Sequence, residues 1–179
     1  MKRCDLLVDV GRRRFLSGAG VAAAGAAAST VLPASPAGAQ TPAARVAYPT
    51  IRLGNIRDLK LNEPMEVSYP DGDAPGVLLK LGKRVEGGVG PDGDVVGFTT
   101  ICPHKGYPLH YSRERRTLNC SGHYSVFDCE AGGQETWGHA TQNLPQYTLR
   151  VDERGDIFAE GLDELIYGRL SNVLRPTAL

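Results

Sequence analysis

Apolar and polar positions alternate in short runs along the chain, and clusters of turn-forming residues separate those runs. Met65 to Tyr69 alternates as a strand and stops at the turn Pro70 to Asp73, and Val77 to Leu81 follows as a second strand. Gly90 to Asp94 (Gly-Pro-Asp-Gly-Asp) is a further turn whose flanking runs can pair as a hairpin, with Val95 to Ile101 continuing from it. Ser125 to Phe127 is short and apolar, whereas Ala131 to His139 has the glycine content of a loop. Tyr147 to Val151 and Asp156 to Glu160, joined by Asp152 to Gly155, predict a second hairpin. Ala43 to Ile51 reads as an extended lead-in. Near the C-terminus, Leu162, Leu165, Ile166, Leu170, Val173 and Leu174 recur at helical spacing, which predicts a short terminal helix packing its apolar face on the protein itself. Strands this short and this closely spaced predict an all-β chain, an antiparallel sandwich or barrel.

Composition supports that picture, since 22 Gly and 12 Pro among 179 residues suit a loop-rich β protein better than a helical bundle. The first forty residues stand apart. Arg12, Arg13 and Arg14 precede Phe15 and Leu16, then an Ala/Gly-rich run of 15 residues from Gly18 to Leu32, then Ala37-Gly38-Ala39. The run is shorter than the roughly 18 to 20 residues a bilayer span needs, and the small residues suit signal peptidase. The pattern predicts a twin-arginine signal over residues 1–39, with Arg12 and Arg13 as the pair, and a mature domain over 40–179 that starts at Gln40 and is exported folded to the periplasm. A retained signal would attach the protein to the membrane. Without residues 1–39 the chain keeps 15 basic and 18 acidic side chains. That balance argues against nucleic-acid binding, which draws on clustered positive charge.

Candidate chemistry is concentrated in two short segments. Cys102-Pro103-His104 and, after a fifteen-residue spacer, Cys120-Ser121-Gly122-His123 each offer one cysteine and one histidine. Cys and His one residue apart do not share a helix face, so the first pair belongs to a loop. Four such donors bind a metal ion or cluster. Structural zinc usually takes its cysteines from one knuckle and its histidines from another element. One of each from two loops suits two irons, both cysteines on one and both histidines on the other. Zinc, or a disulfide between Cys102 and Cys120 in an exported protein, are the alternatives. His110 and His139 lack a matching cysteine and are expected to be surface or otherwise satisfied histidines, and Cys129 a buried or half-buried thiol.

Two Fe(III), two sulfides and two thiolates sum to zero charge, so histidine ligation favours reduction and sets a potential in the range of about −150 to +300 mV.

At these residues the chain resembles the Rieske iron-sulfur family, whose motif runs C-x-H-x-G and then C-x-x-H, matched by Cys102, His104, Gly106, Cys120 and His123. The resemblance implies a Rieske-type antiparallel β-sandwich or barrel, with one [2Fe-2S] cluster in a subdomain formed by two loops at about residues 98–140. Cys102, His104, Cys120 and His123 would be the ligands. Rieske subunits of cytochrome bc complexes carry one more cysteine in each loop, joined as a disulfide; here those positions hold Tyr107 and Gly122. High-potential members place a Ser and a Tyr after the second motif to donate to cluster sulfurs. Ser125 matches the first, while Phe127 stands where the Tyr would be, which implies a lower potential.

More narrowly, the stretches Cys102 to Leu109, Cys120 to Asp128 and Gly161 to Leu174, behind a twin-arginine pattern, resemble the small-subunit family of arsenite oxidase. That resemblance implies an electron-transfer subunit with no catalytic residues of its own. Its partners would be a large molybdopterin subunit carrying a [3Fe-4S] cluster, where arsenite is oxidised, and a periplasmic cytochrome c or copper protein as acceptor. The alternative is the Rieske subunit of a quinol:cytochrome c oxidoreductase, which would need a true N-terminal anchor. An oxygenase would need a second domain with a mononuclear iron site, for which residues 40–179 leave no room.

Overall fold

The structure, a computed structural model, describes residues 47–173. The predicted signal, Gln40, the first part of the lead-in and Leu174 lie outside the described residues.

Ten strands make three antiparallel sheets. The base sheet has the order β1-β10-β9, with β1 at Ile51–Asn55, β9 at Tyr147–Val151 and β10 at Asp156–Leu162. The middle sheet is β2-β3-β4, from Met65–Ser68, Pro75–Lys80 and Val95–Thr99. The third is β5-β6-β7-β8, from Leu109–Ser112, Thr117–Cys120, Val126–Asp128 and Gln134–Trp137.

The middle sheet is apolar on both faces, and its sequence says so: Gly-Val-Leu-Leu in β3 and Val-Val-Gly-Phe in β4 do not alternate. Val77, Leu79, Val96 and Phe98 point into one core, shared with Cys102, Leu109, Leu118, Cys120 and Phe127 of the third sheet and its loops. Leu78 and Val95 point the other way, into a core with Tyr69, Tyr147, Leu149, Ile157 and Ala159 of the base. Side chains such as Leu78, Leu79 and Phe98, with no exposed surface, contribute about 1.5–3 kcal/mol each. By contrast β10, Asp-Ile-Phe-Ala-Glu-Gly-Leu, alternates and buries Ile157, Ala159 and Gly161 on one face. At its end β4 is tied down before the chain leaves the sheet. Thr99 Oγ1 and the Thr100 amide both donate to the Pro75 carbonyl, at 3.2 and 3.0 Å, and the Thr99 amide donates to Pro145 at 3.1 Å.

The predicted strands form, and the Gly90 to Asp94 turn sits inside a small hairpin closed by Val89 and Val95, whose amides and carbonyls exchange bonds at 2.9 and 3.2 Å. Two expectations are corrected. Gln134–Trp137, read as loop, is strand β8 paired with β7, because Gly132 and Gly133, at φ +62° and +75°, make the turn that lets the chain fold back. The terminal helix is absent from the described residues, where residues 163–173 form a series of turns. The Asn172 side chain takes the backbone groups a helix would have paired: its Oδ1 accepts from the Ile166 amide at 2.8 Å and its Nδ2 donates to the Glu164 carbonyl at 2.7 Å. Gly168, at φ +82°, turns the chain out of any helical path.

Candidate metal centre

Both ligand loops leave the ends of strands, and strand pairing sets them side by side. The first runs from the end of β4 to β5. It is a closed turn: the Cys102 amide donates to Tyr107 O at 2.8 Å, the Gly106 amide to Cys102 O at 2.8 Å, and Ile101 bridges Pro108. The second joins β6 to β7, with the Cys120 amide donating to Ser125 O at 2.8 Å and the Tyr124 amide to Cys120 O at 3.1 Å. The fifteen-residue spacer between the motifs contains the β5–β6 hairpin, in which Leu109 pairs with Cys120. That register brings the second motif alongside the strand that leaves the first.

The four predicted residues therefore meet. Cys102 and Cys120 are free thiols, 1% and 3% exposed. Burial pushes the Cys102 thiol up, the neighbouring Cys120 thiol adds to the rise, and the His104 and Lys105 amides oppose it by donating to the sulfur. The His104 and His123 rings stand 4.9 Å apart at 71°. His104 is half-buried, and its Nδ1 is buried without a hydrogen-bond partner. Desolvation and the nearby His123 lower its pKa. His123 is exposed.

This donor set fits a two-metal cluster. An unpartnered buried Nδ1 is a lone pair or proton awaiting a partner, and the sulfurs and rings come as two pairs. Among the described residues, no three His, Cys, Asp or Glu side chains converge on a single ion position.

Around the pairs, Ser125 has no exposed surface, and its Oγ accepts the amides of His139 and Ala140, each at 3.0 Å, leaving its own proton free to donate. Those bonds bring a third segment, residues 138–140, over the site. His139, expected simply to be a surface or otherwise satisfied histidine, is exposed but stacks on His104 at 5.9 Å and 27° and faces His123 edge-on at 6.2 Å. Its one signal in the sequence is the glycine before it, too common a pairing to single it out. Tyr107 and Gly122 touch, since a Cβ on Gly122 would lie 2.8 Å from the Tyr107 ring, and that ring also meets His123 at 5.7 Å. His110 stands exposed on β5. Cys129 has no exposed surface, and burial pushes its thiol far above the usual range, as expected for an inert buried cysteine.

Residues 50–148 match the Rieske [2Fe-2S] domain family. The chain belongs to the Rieske [2Fe-2S] family. A Rieske domain binds a [2Fe-2S] cluster, in keeping with the donor set just described. The soluble domain of Rieske protein II (soxF) from Sulfolobus acidocaldarius has the same fold, with a TM-score of 0.61 and 22% identity over 72% of this chain and 84% of that one. Among Rieske relatives, iodate reductase subunit IdrB of Denitromonas iodatirespirans is 44% identical over 129 residues, 70% of this chain and 69% of the relative. The same subunit of Pseudomonas sp. (strain SCT) is 40% identical over 124 residues, 68% and 64% of the two chains.

Proposed function

We propose that this chain is the electron-transfer subunit of a periplasmic arsenite oxidase, held beside a large molybdopterin subunit and passing electrons to a cytochrome c or a small copper protein. Cys102 and Cys120 would hold one iron and His104 and His123 the other, with Ser125 donating its hydroxyl proton to a cluster sulfur. When bound, the cluster supplies a one-electron relay at moderate potential. The observation that carries the electron-transfer role is the exposure of His123 beside two buried thiols: a partner protein can touch one predicted ligand ring while the sulfurs stay shielded from water. The Gly161 to Leu174 segment and the Arg12-Arg13 pattern support the arsenite oxidase reading and folded export. Among the described residues no helix is long and apolar enough to cross a membrane.

The 44% and 40% identities to iodate reductase subunits favour a second reading, reduction of iodate. Both readings put substrate chemistry on the partner subunit and differ in the direction of electron flow. EPR of the complex distinguishes them. A Rieske signal that grows on adding arsenite supports the first. Loss of an ascorbate-reduced signal on adding iodate, with no response to arsenite, supports the second. A signal indifferent to both moves the donor elsewhere, towards quinol, and no signal after ascorbate removes the cluster assignment.

Phe127 has no exposed surface and shares its core with Cys102 and Cys120. Phe127→Tyr adds a donor where high-potential members have one, and the expected result is a raised midpoint potential in a redox titration. An unchanged potential would show that the ring's edge does not reach the cluster.

A further inference from the structure

We infer that the C-terminal strap, residues 163–173, positions the first ligand loop through the ring of Tyr167 seated on Gly106. The inference rests on Cys102 and His104 being ligands. A Cβ on Gly106 would lie 2.8 Å from Tyr167 Cδ1 and 3.0 Å from Cε1, so the ring occupies the space a side chain would need. Gly106 is also at φ +71°, a conformation that disfavours any other residue. It lies two residues after His104 and directly before Tyr107, whose own ring covers Gly122 of the second loop. The strap is thus linked to the first loop, and the first loop to the second, by two aromatic rings lying on glycines. The described cysteines are all free, so no disulfide among them performs this task.

For Tyr167 to hold a loop it must itself be held, and the strap is fastened on both sides of it. Ile166 has no exposed surface. Asn172 is 5% exposed and bonds the strap internally as well as donating to Tyr48 Oη at 2.8 Å. Arg169 makes a two-pronged pair with Asp71, Nη1 to Oδ2 at 2.6 Å and Nη2 to Oδ1 at 2.9 Å. The Arg169 side chain is only 11% exposed, so this pair is better shielded than an ordinary surface ion pair. The Asp163 carboxylate accepts the Gln146 amide at 2.7 Å. These anchors tie the strap to the turn after β2, to Tyr48 and to the start of β9, and leave Tyr167 projecting over the ligand loop. Tyr167 is therefore a positioning residue, acting on the cluster through Gly106.

The test uses the full chain in its complex, with cluster loss to an iron chelator followed by EPR and visible circular dichroism, and unfolding measured in parallel. Tyr167→Ala is expected to lose the signal about tenfold faster, the scale of effect of removing the covered part of an aromatic ring that is 42% exposed, and to broaden the EPR lines. Tyr167→Phe, which keeps the ring, should behave as wild type, and Tyr167→Leu should fall between. Leu170→Ala, on the same strap and fully exposed, is the control and should change neither readout. Wild-type loss and lineshape in Tyr167→Ala overturn the inference, as does failure of Tyr167→Phe to restore them. Faster loss that only tracks a fall in global stability, with lineshape unchanged, also overturns it. A wild-type chain with no Rieske signal would instead refute the ligand assignment beneath it.

Discussion

His123→Ala is expected to lose the entire Rieske signal in EPR after ascorbate reduction, whereas Cys129→Ala is expected to keep it at full intensity. The two residues are six positions apart and both are of metal-ligating type, but only His123 belongs to the predicted ligand set, and the structure separates them. His123 lies 4.9 Å from His104, ring to ring, at the exposed end of the second loop. Cys129 belongs to the apolar core below, and burial holds its thiol protonated. A metal-binding thiol must give up its proton, and at Cys129 burial and the Asp128 and Glu130 carboxylates oppose that, with only a backbone hydrogen bond from Leu118 in its favour. Removing an imidazole from a four-ligand set leaves one iron with a single protein donor, so the effect is loss of the cluster rather than a shift in its properties. Cys129→Ala deletes one buried sulfur and costs stability on the scale of about 1 kcal/mol. A cluster lost with Cys129→Ala and kept with His123→Ala would reverse the ligand assignment.

Much of this site was legible in the sequence because its signal is local. Two cysteines and two histidines in two short loops need only an ordinary hairpin between them to meet, and the β5–β6 hairpin supplies it. The middle sheet was legible for a similar reason, since Val77 to Leu81 and Val95 to Thr99 are apolar on both faces. What the sequence hid depends on contacts between distant segments. His139 reaches the site through two amide bonds to Ser125, fourteen and fifteen residues earlier. Tyr167 reaches Gly106 because Arg169 finds Asp71 ninety-eight residues away. The spacing of Leu162, Leu165 and Ile166 imitates a helix, but the apolar positions serve different ends. Ile166 is buried while Leu165 and Leu170 face solvent, and one asparagine side chain replaces the helical hydrogen bonds. Periodicity reports which positions are apolar, and side-chain bonds to the backbone can still choose another path for the chain.

Gly138→Ala is expected to destabilise the protein by roughly 3 kcal/mol, near the upper end for a single small substitution, and to shift the Rieske EPR lineshape. A Cβ on Gly138 would lie 2.3 Å from Ser125 Cα, 2.6 Å from its Oγ and 2.7 Å from its amide nitrogen. Two of these atoms are backbone, and the third, Oγ, is held by the amides of His139 and Ala140. Ser125 is fixed in the second loop, where its carbonyl accepts the Cys120 amide, so the residue that must move is Gly138. At φ +117° it also holds a backbone conformation that alanine rarely adopts, worth about 1–3 kcal/mol of strain. Lifting residues 138–140 breaks the two amide bonds to Ser125 Oγ, at about 1 kcal/mol net each, and carries the His139 ring away from His104. Ser125→Ala separates the contributions, since it removes the acceptor for both amides but adds no atom. It should cost about 1–3 kcal/mol while leaving residues 138–140 close to their place. Urea unfolding of the three proteins gives the ordering wild type, Ser125→Ala, Gly138→Ala. A Gly138→Ala protein as stable as wild type would mean that the third segment does not rest on Ser125, and the placing of His139 at the metal centre would fall with it.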